Sequence, residues 1–367
     1  MTNILGEHFT LTSFGESHGK CVGVIVNGCP AGLPLKESEI QKELDKRKPG
    51  TSILVTQRKE SDTVEIMSGV FEGYTTGAPI CMIVQNKDAD SSTYEKFKNI
   101  PRPGHSDYTG KKRFGGYNDW RGGGIFSART TVSLVMAGAI AKKLLSTMLN
   151  IDIFAYTLEI GGIRAKIKSY EYAKKHRYKN LTRCPDSISS KKMEEKIKQV
   201  RSEGDSIGGI IECIATNVPP GLGSPNYNSL DGSLSAAMHT VPAVKGVEIG
   251  IGFNASRMKG SENNDSFILN NGKIITETNN SGGILGGITT GMPIVIRVGL
   301  KPASSISKEQ NTLNLIKKTQ TKLIVKGRHD PCVVPRAIPI IESATAVTLL
   351  DHVLKQSLIP TVINKRF

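Results

Sequence analysis

Nowhere in this 367-residue chain does an uninterrupted apolar run approach the roughly 18 to 20 positions of a membrane span. The opening stretch "MTNILGEHFTLTSF" lacks the basic region and apolar core of a secretory signal. The expectation is a cytoplasmic protein without a membrane partner. The six cysteines (Cys21, Cys29, Cys81, Cys184, Cys213, Cys332) show no CxxC spacing, which disfavours disulfides and zinc and favours free thiols. No G-x-G-x-x-G lies between a strand and a helix to mark a dinucleotide site, and no nucleic-acid-binding signature occurs.

What is present is a globular composition, 38% apolar and 22% charged, with 38 glycines that imply many tight turns or close backbone contacts. The net charge of +15 raises the possibility of a nucleic-acid partner. Its distribution argues against one, because the segment from Arg164 to Arg201 alone supplies +9 of that excess. This segment, within 164–203, reads as a solvated and largely helical excursion. No nucleic-acid partner is expected.

Two parts of the chain share cues in one order. "PAGL" from Pro30, the helix-like "KESEIQKELDKR", "VEI" from Val64 and "GYTTGAPICMIV" from Gly73 are matched by "PPGL" from Pro219, "YNSLDGSLSAAM", "VEI" from Val247 and "GITTGMPIVIRV" from Gly287. The offsets, 189, 183 and 214 residues, rule out exact periodicity, but the shared order predicts a single domain over 1–367 made of two pseudo-repeated halves, about 8–150 and 205–355, with loops of unequal length. Apolar β-rich runs such as "CVGVIVNG" and "IIECIATNV", without regular βαβ spacing, favour an α+β fold over a parallel sheet. The apolar segment from about Thr130 to Leu149 should be a buried central helix.

Several short stretches carry chemistry. "RGGGIFSART", residues 121–130, places three glycines beside Arg121 and Arg129 ahead of that helix, an arrangement suited to an anion because bare backbone and a helix N-terminus both present N–H donors. "GESHG", Gly15 to Gly19, fits the G-x-S-x-G nucleophile elbow of hydrolases. A strand rather than a helix is expected after it, which disfavours that reading. "RPGHSDYTG" exposes His105 after a rigid turn as a candidate proton donor, and "KGRHDPCVVPRA" groups Arg328, His329 and Asp330. No further His, Asp or Glu set has metal-ligand spacing, so no metal is expected.

Together "GESHG", "RPGHSDYT", "RGGG" with "SAR", "SGGILGGITTG", "KPASSI" and "GRHDPC" resemble the motifs of the chorismate synthase family, in the family's order from Phe9 to about Leu354. The resemblance implies a β-α-β sandwich around buried helices and a homotetramer. It also implies a lyase of the shikimate pathway that performs anti-1,4-elimination of phosphate from 5-enolpyruvylshikimate 3-phosphate to give chorismate. Reduced flavin mononucleotide (FMN) would be required with no net redox change. NADPH is a candidate reductant, and an external flavin reductase is the preferred source in the absence of a dinucleotide motif.

By resemblance His18 would keep the flavin suitably protonated, His105 would protonate the leaving phosphate, and Asp330 would act on the flavin N5 proton. Substrate arginines map to Arg47 in "DKRKPG", Arg129 in "SAR" and Arg336 in "VVPRA". Flavin contacts map to Ile125, Phe126 and Ser127, Gly286, the run Lys301, Pro302, Ala303, Ser304 and Ser305, and Arg328. The chain departs from the common "RGGGRSSARET" at Ile125, Phe126 and Thr130, and it has Ile53 where many members carry Arg. Backbone around Gly122 to Gly124 is therefore expected to shape the pocket, with Phe126 packing on the flavin or the adjacent helix. The alternatives are a non-catalytic phosphate or nucleotide binding module and a basic nucleic-acid binder.

Overall fold

The computed structural model describes residues 3–48, 62–87, 92–325, 327 and 329–363. Two five-stranded antiparallel sheets enclose a helical layer. The first has the order Ile4–Leu5, Thr10–Gly15, Cys21–Asn27, Ile80–Gln85, Val64–Ile66. The second, from the opposite edge, reads Ile163–Arg164, Asp152–Ile160, Gly209–Thr216, Ile294–Leu300, Val244–Ile249.

The two sheets share register as well as order. Val64 pairs with Val84 and Val247 with Val298, each the fifth residue after the proline of "APIC" or "MPIV". Each half also holds its Pro-x-Gly-Leu turn through one threonine. Thr75 Oγ1 donates to Pro30 O (2.6 Å) and accepts from Leu33 N (2.9 Å), while Thr289 Oγ1 donates to Pro219 O (2.6 Å) and accepts from Leu222 N (2.9 Å).

Helices Glu37–Arg47 and Thr131–Leu149 pack with the first sheet, and Leu230–His239 and Val334–Lys355 with the second. The two long helices cross closely, because a Cβ on Gly138 would lie 2.3 Å from Ser343 Cβ. By length and hydropathy 128–149 and 334–355 also meet the requirement for a membrane span, yet 61% and 89% of these windows are buried inside the fold. They are the core of the sandwich. The six cysteines are free, and burial pushes the thiols of Cys29, Cys184, Cys213 and Cys332 up to about 12.

The basic excursion forms helices Tyr170–His176 and Ser187–Ser202 and is less solvated than its composition implies. Met193, Ile197 and Val200 are buried, and two of its arginines turn inward. Arg183 Nη1 donates to Pro335 O (2.6 Å), and Arg177 joins a buried ion cluster around Glu342. That carboxylate, 1% exposed, also accepts from Lys142 Nζ (2.6 Å) and Ala155 N (2.9 Å), linking both long helices to the second sheet.

Candidate functional site

A cavity of about 800 Å³ opens at one end of the sandwich, where loops from distant parts of the chain meet. The glycine stretch forms part of its wall in an unexpected way. Gly122, Gly123 and Gly124 all have positive φ (58°, 86° and 54°), and the long helix begins only at Thr131. The triplet is therefore a left-handed turn and not a cradle at a helix mouth. Its lack of side chains gives clearance to two histidines. A Cβ on Gly122 would lie 2.2 Å from His18 Cδ2, and one on Gly123 would lie 3.5 Å from His105 Cε1.

Gly122→Ala should therefore displace His18 and Ser17, whose Oγ would be 2.8 Å from the new carbon, besides straining a left-handed backbone. The expected outcome is a turnover number reduced at least about tenfold in a folded protein, checked by steady-state kinetics and circular dichroism. Turnover within twofold of wild type would show that His18 tolerates the shift.

His18 stands edge-on to Tyr94 (5.2 Å between centroids), and its neighbour Ser17 lines the cavity. After "GESHG" the chain turns directly into strand Cys21–Asn27, so the strand-to-helix context of a hydrolase elbow is missing. Arg121, expected to face an anion, is instead 45% exposed and bidentate to Asp119 (2.9 and 2.8 Å). It is not among the cavity's lining residues.

Arg47, Arg129 and Arg336 do line the cavity, and each is ion-paired within the protein. Asp62, whose side chain is wholly buried, bridges Arg47 Nη1 (3.0 Å) and Arg129 Nη1. Arg47 further donates to Thr131 Oγ1 (3.0 Å) and Ala128 O (2.9 Å), and Arg129 to Asn86 Oδ1 (3.0 Å). Arg336 pairs with Asp330. The arginines are thus pre-oriented by fixed carboxylates, a preorganisation favourable to binding a polyanion. No motif marked Asp62, one of several acids around the start of strand Val64–Ile66.

On the opposite side, the "KPASS" loop docks on the "RPGHSD" turn. Lys301 Nζ and Ser304 Oγ both donate to Gly104 O (2.5 and 2.6 Å), and Ser305 Oγ accepts from Arg102 Nη1 (3.0 Å). Burial, and then the charge of Lys245, hold the Lys301 ammonium below its ordinary value. Arg102 stacks near Phe97 (4.8 Å) and closes onto Asp107, which also meets His105 Nδ1 (2.7 Å). Burial works against ionisation of Asp107, yet the hydrogen bonds from Arg102 and His105 hold its carboxyl well below the usual range. Arg102 and Asp107 lay inside a quoted motif without being singled out; their spacing around His105 was the available signal.

Ile125, Phe126, Ser127, Lys301, Pro302, Ala303, Ser304, Ser305, His105 and Asp330 all line the cavity. Phe126 packs on the adjacent helix Asp107–Arg113, where a Cβ on Gly110 would be 2.5 Å from its ring, whereas Ile125 is 41% exposed. A segment not foreseen, His239 to Lys245, completes the wall. Gly286 lies elsewhere, in the turn of hairpin Ile284–Leu285 and Ile288–Thr289. Arg328 and Ile53 fall outside the described residues. No lining residue lies between 164 and 201.

A protein-family model described as chorismate synthase matches residues 9–354. A chorismate synthase of Dehalococcoides mccartyi is 51% identical over 365 residues, covering 100% of both chains, and one of Korarchaeum cryptofilum is 54% identical over 353 residues, covering 96% of this chain and 98% of its own. A solved crystal structure of chorismate synthase superposes with a TM-score of 0.74 at 32% identity, covering 96% of this chain and 93% of the other.

Proposed function

The chain belongs to the chorismate synthase family, a lyase of the shikimate pathway, and from that premise we propose that the cavity takes 5-enolpyruvylshikimate 3-phosphate together with reduced FMN. One observation carries this reading. Candidate residues from positions 47, 105, 125–129, 301–305, 330 and 336 converge on one cavity.

The donor set fits a phosphorylated flavin. Lys301 with the Ser304 and Ser305 hydroxyls offers polar contacts, while Phe126, Val241 and Pro242 offer apolar surface for a planar ring. When bound, the reduced flavin supplies the electron density that an elimination from a poorly acidic carbon requires. The protein's own residues do the rest. Arg129, Arg47 and Arg336 hold the carboxylates and phosphate of the substrate, and Phe126 limits water access. His105 Nε2 would give a proton to the departing phosphate, and Asp330, with His18 behind the lining residue Ser17, would be the groups that exchange protons with the bound flavin.

Gly286 is outside this cavity and would meet a flavin only from a second copy of the chain, so its proposed role rests on the proposed homotetramer. Association is supported by the outer face of the first sheet, where half-buried Phe14, Ile25, Cys81 and Ile83 carry no charge. Ile25→Lys is expected to lower the sedimentation coefficient below that of a tetrameric wild type, because a lysine would have to be desolvated at the contact. A monomeric wild type would refute the assembly.

The same reading has a cytoplasmic enzyme whose flavin is reduced from outside. The deciding assay is anaerobic: chorismate should appear when the phosphorylated substrate and chemically reduced FMN are supplied. NADPH with oxidised FMN should give no comparable rate unless a flavin reductase is added. Absence of chorismate with reduced FMN refutes the reading, and equal rates with NADPH alone refute external reduction.

A further inference from the structure

We propose that Asp107 is the positioning residue that determines which nitrogen of His105 exchanges protons with the cavity. The inference rests on the elimination reading only for its kinetic consequence. Its basis is the hydrogen-bond complement of one carboxylate whose side chain is 10% exposed. Oδ2 accepts from Arg102 N (3.0 Å) and Arg102 Nε (2.8 Å), and Oδ1 accepts from Arg102 Nη2 (2.8 Å) and approaches His105 Nδ1 at 2.7 Å.

An ionised carboxylate has about four lone-pair positions and can only accept. Three are filled by Arg102, and the fourth contact, the shortest, is to the imidazole. A lone pair on Nδ1 directed at this oxygen would be repulsive, so Nδ1 carries a hydrogen and donates it. Arg102 Nη2 carries two hydrogens and lies 2.8 Å from Oδ1 and 3.2 Å from Nδ1, so it is the longer contact of Nδ1, and the anionic oxygen at 2.7 Å is the stronger partner for that ring atom.

The ring is then oriented with Nε2 towards the glycine turn, where a Cβ on Gly123 would be 3.6 Å away. With Nδ1 committed to Asp107, Nε2 becomes the one ring atom able to take up a proton and release it into the cavity. Arg102 fixes the carboxylate, and Ser305 in turn receives Arg102 Nη1 (3.0 Å), so the "KPASS" loop and the histidine are mechanically linked. Asp107 is not itself a lining residue of the cavity; it acts on the reaction through His105, which is.

Two measurements test this. First, NMR of resting wild-type enzyme with ring-15N histidine, with the His105 signal assigned by its loss in His105→Ala, should show the Nδ1–H tautomer or the doubly protonated ring. An Nε2–H tautomer with bare Nδ1 overturns the proposal. Second, Asp107→Asn should lower kcat at least tenfold with KM for the phosphorylated substrate within threefold. The double variant with His105→Ala should be no slower than His105→Ala alone, since the two act as one unit. A smaller fall in kcat, or additive losses, overturns it. Should Asp107→Asn fail to fold, the wild-type tautomer decides. Because that spectrum requires no substrate, a protein that makes no chorismate would refute the elimination reading while leaving the role of Asp107 to the tautomer.

Discussion

His105→Ala is expected to lower kcat by about 10²- to 10⁴-fold with substrate and reduced flavin both saturating, the range typical of losing a general acid. The ring lines the cavity, is clamped at Nδ1 by Asp107 and faces the glycine turn with its other edge. Removing it leaves the arginines of the cavity in place, since Arg47 and Arg129 are held by Asp62 and Arg336 by Asp330. Binding should therefore change little while turnover collapses. Single-turnover kinetics under anaerobic conditions separate the two effects. Unchanged turnover would remove His105 from the mechanism.

Glu342→Ala should have the largest effect on stability. Its carboxylate is 1% exposed and receives Lys142 Nζ, Arg177 and Ala155 N, so truncation leaves Lys142 with Glu43 alone, takes from Arg177 its carboxylate and leaves a backbone donor unmet. Breaking a buried pair on one side costs about 3–5 kcal/mol, read as a lower urea midpoint. Burial alone would raise this carboxyl, but the charges of Lys142 and Arg177 outweigh it and hold it at about 2, against an ordinary value of 4.5. A depressed folded-state value means that the contribution is complete above about 4.5 and is lost as pH falls towards 2. Over that interval the wild-type midpoint should decline more steeply than that of Glu342→Gln. Parallel declines would show that Glu342 is not a principal titrating group.

Much of this protein was legible from residue order. Pro-x-Gly-Leu turns, period-2 apolar runs and helix-like spacing are local signals, and they identified the strands at Cys21–Asn27 and Gly209–Thr216 and the central helix, found at Thr131–Leu149. Six motifs in family order likewise indicated the reaction, because each motif holds together residues whose relative positions a single turn determines.

Only the tertiary structure decided the partners. Asp62 is 15 positions from Arg47 and 67 from Arg129, and nothing in the order of residues selects it from 33 acidic side chains for 48 basic ones. The same holds for Arg177, which composition placed in a solvated run and the fold draws onto Glu342, 165 residues away. The glycine triplet makes the point at close range. Its sequence determines a backbone free of side chains, but which groups occupy the space left bare depends on loops returning from residues 17–18 and 105. Local conformation follows from steric and periodic rules acting within a few residues, whereas the pairing of charges depends on distances that exist only once the two sheets have closed around the helices.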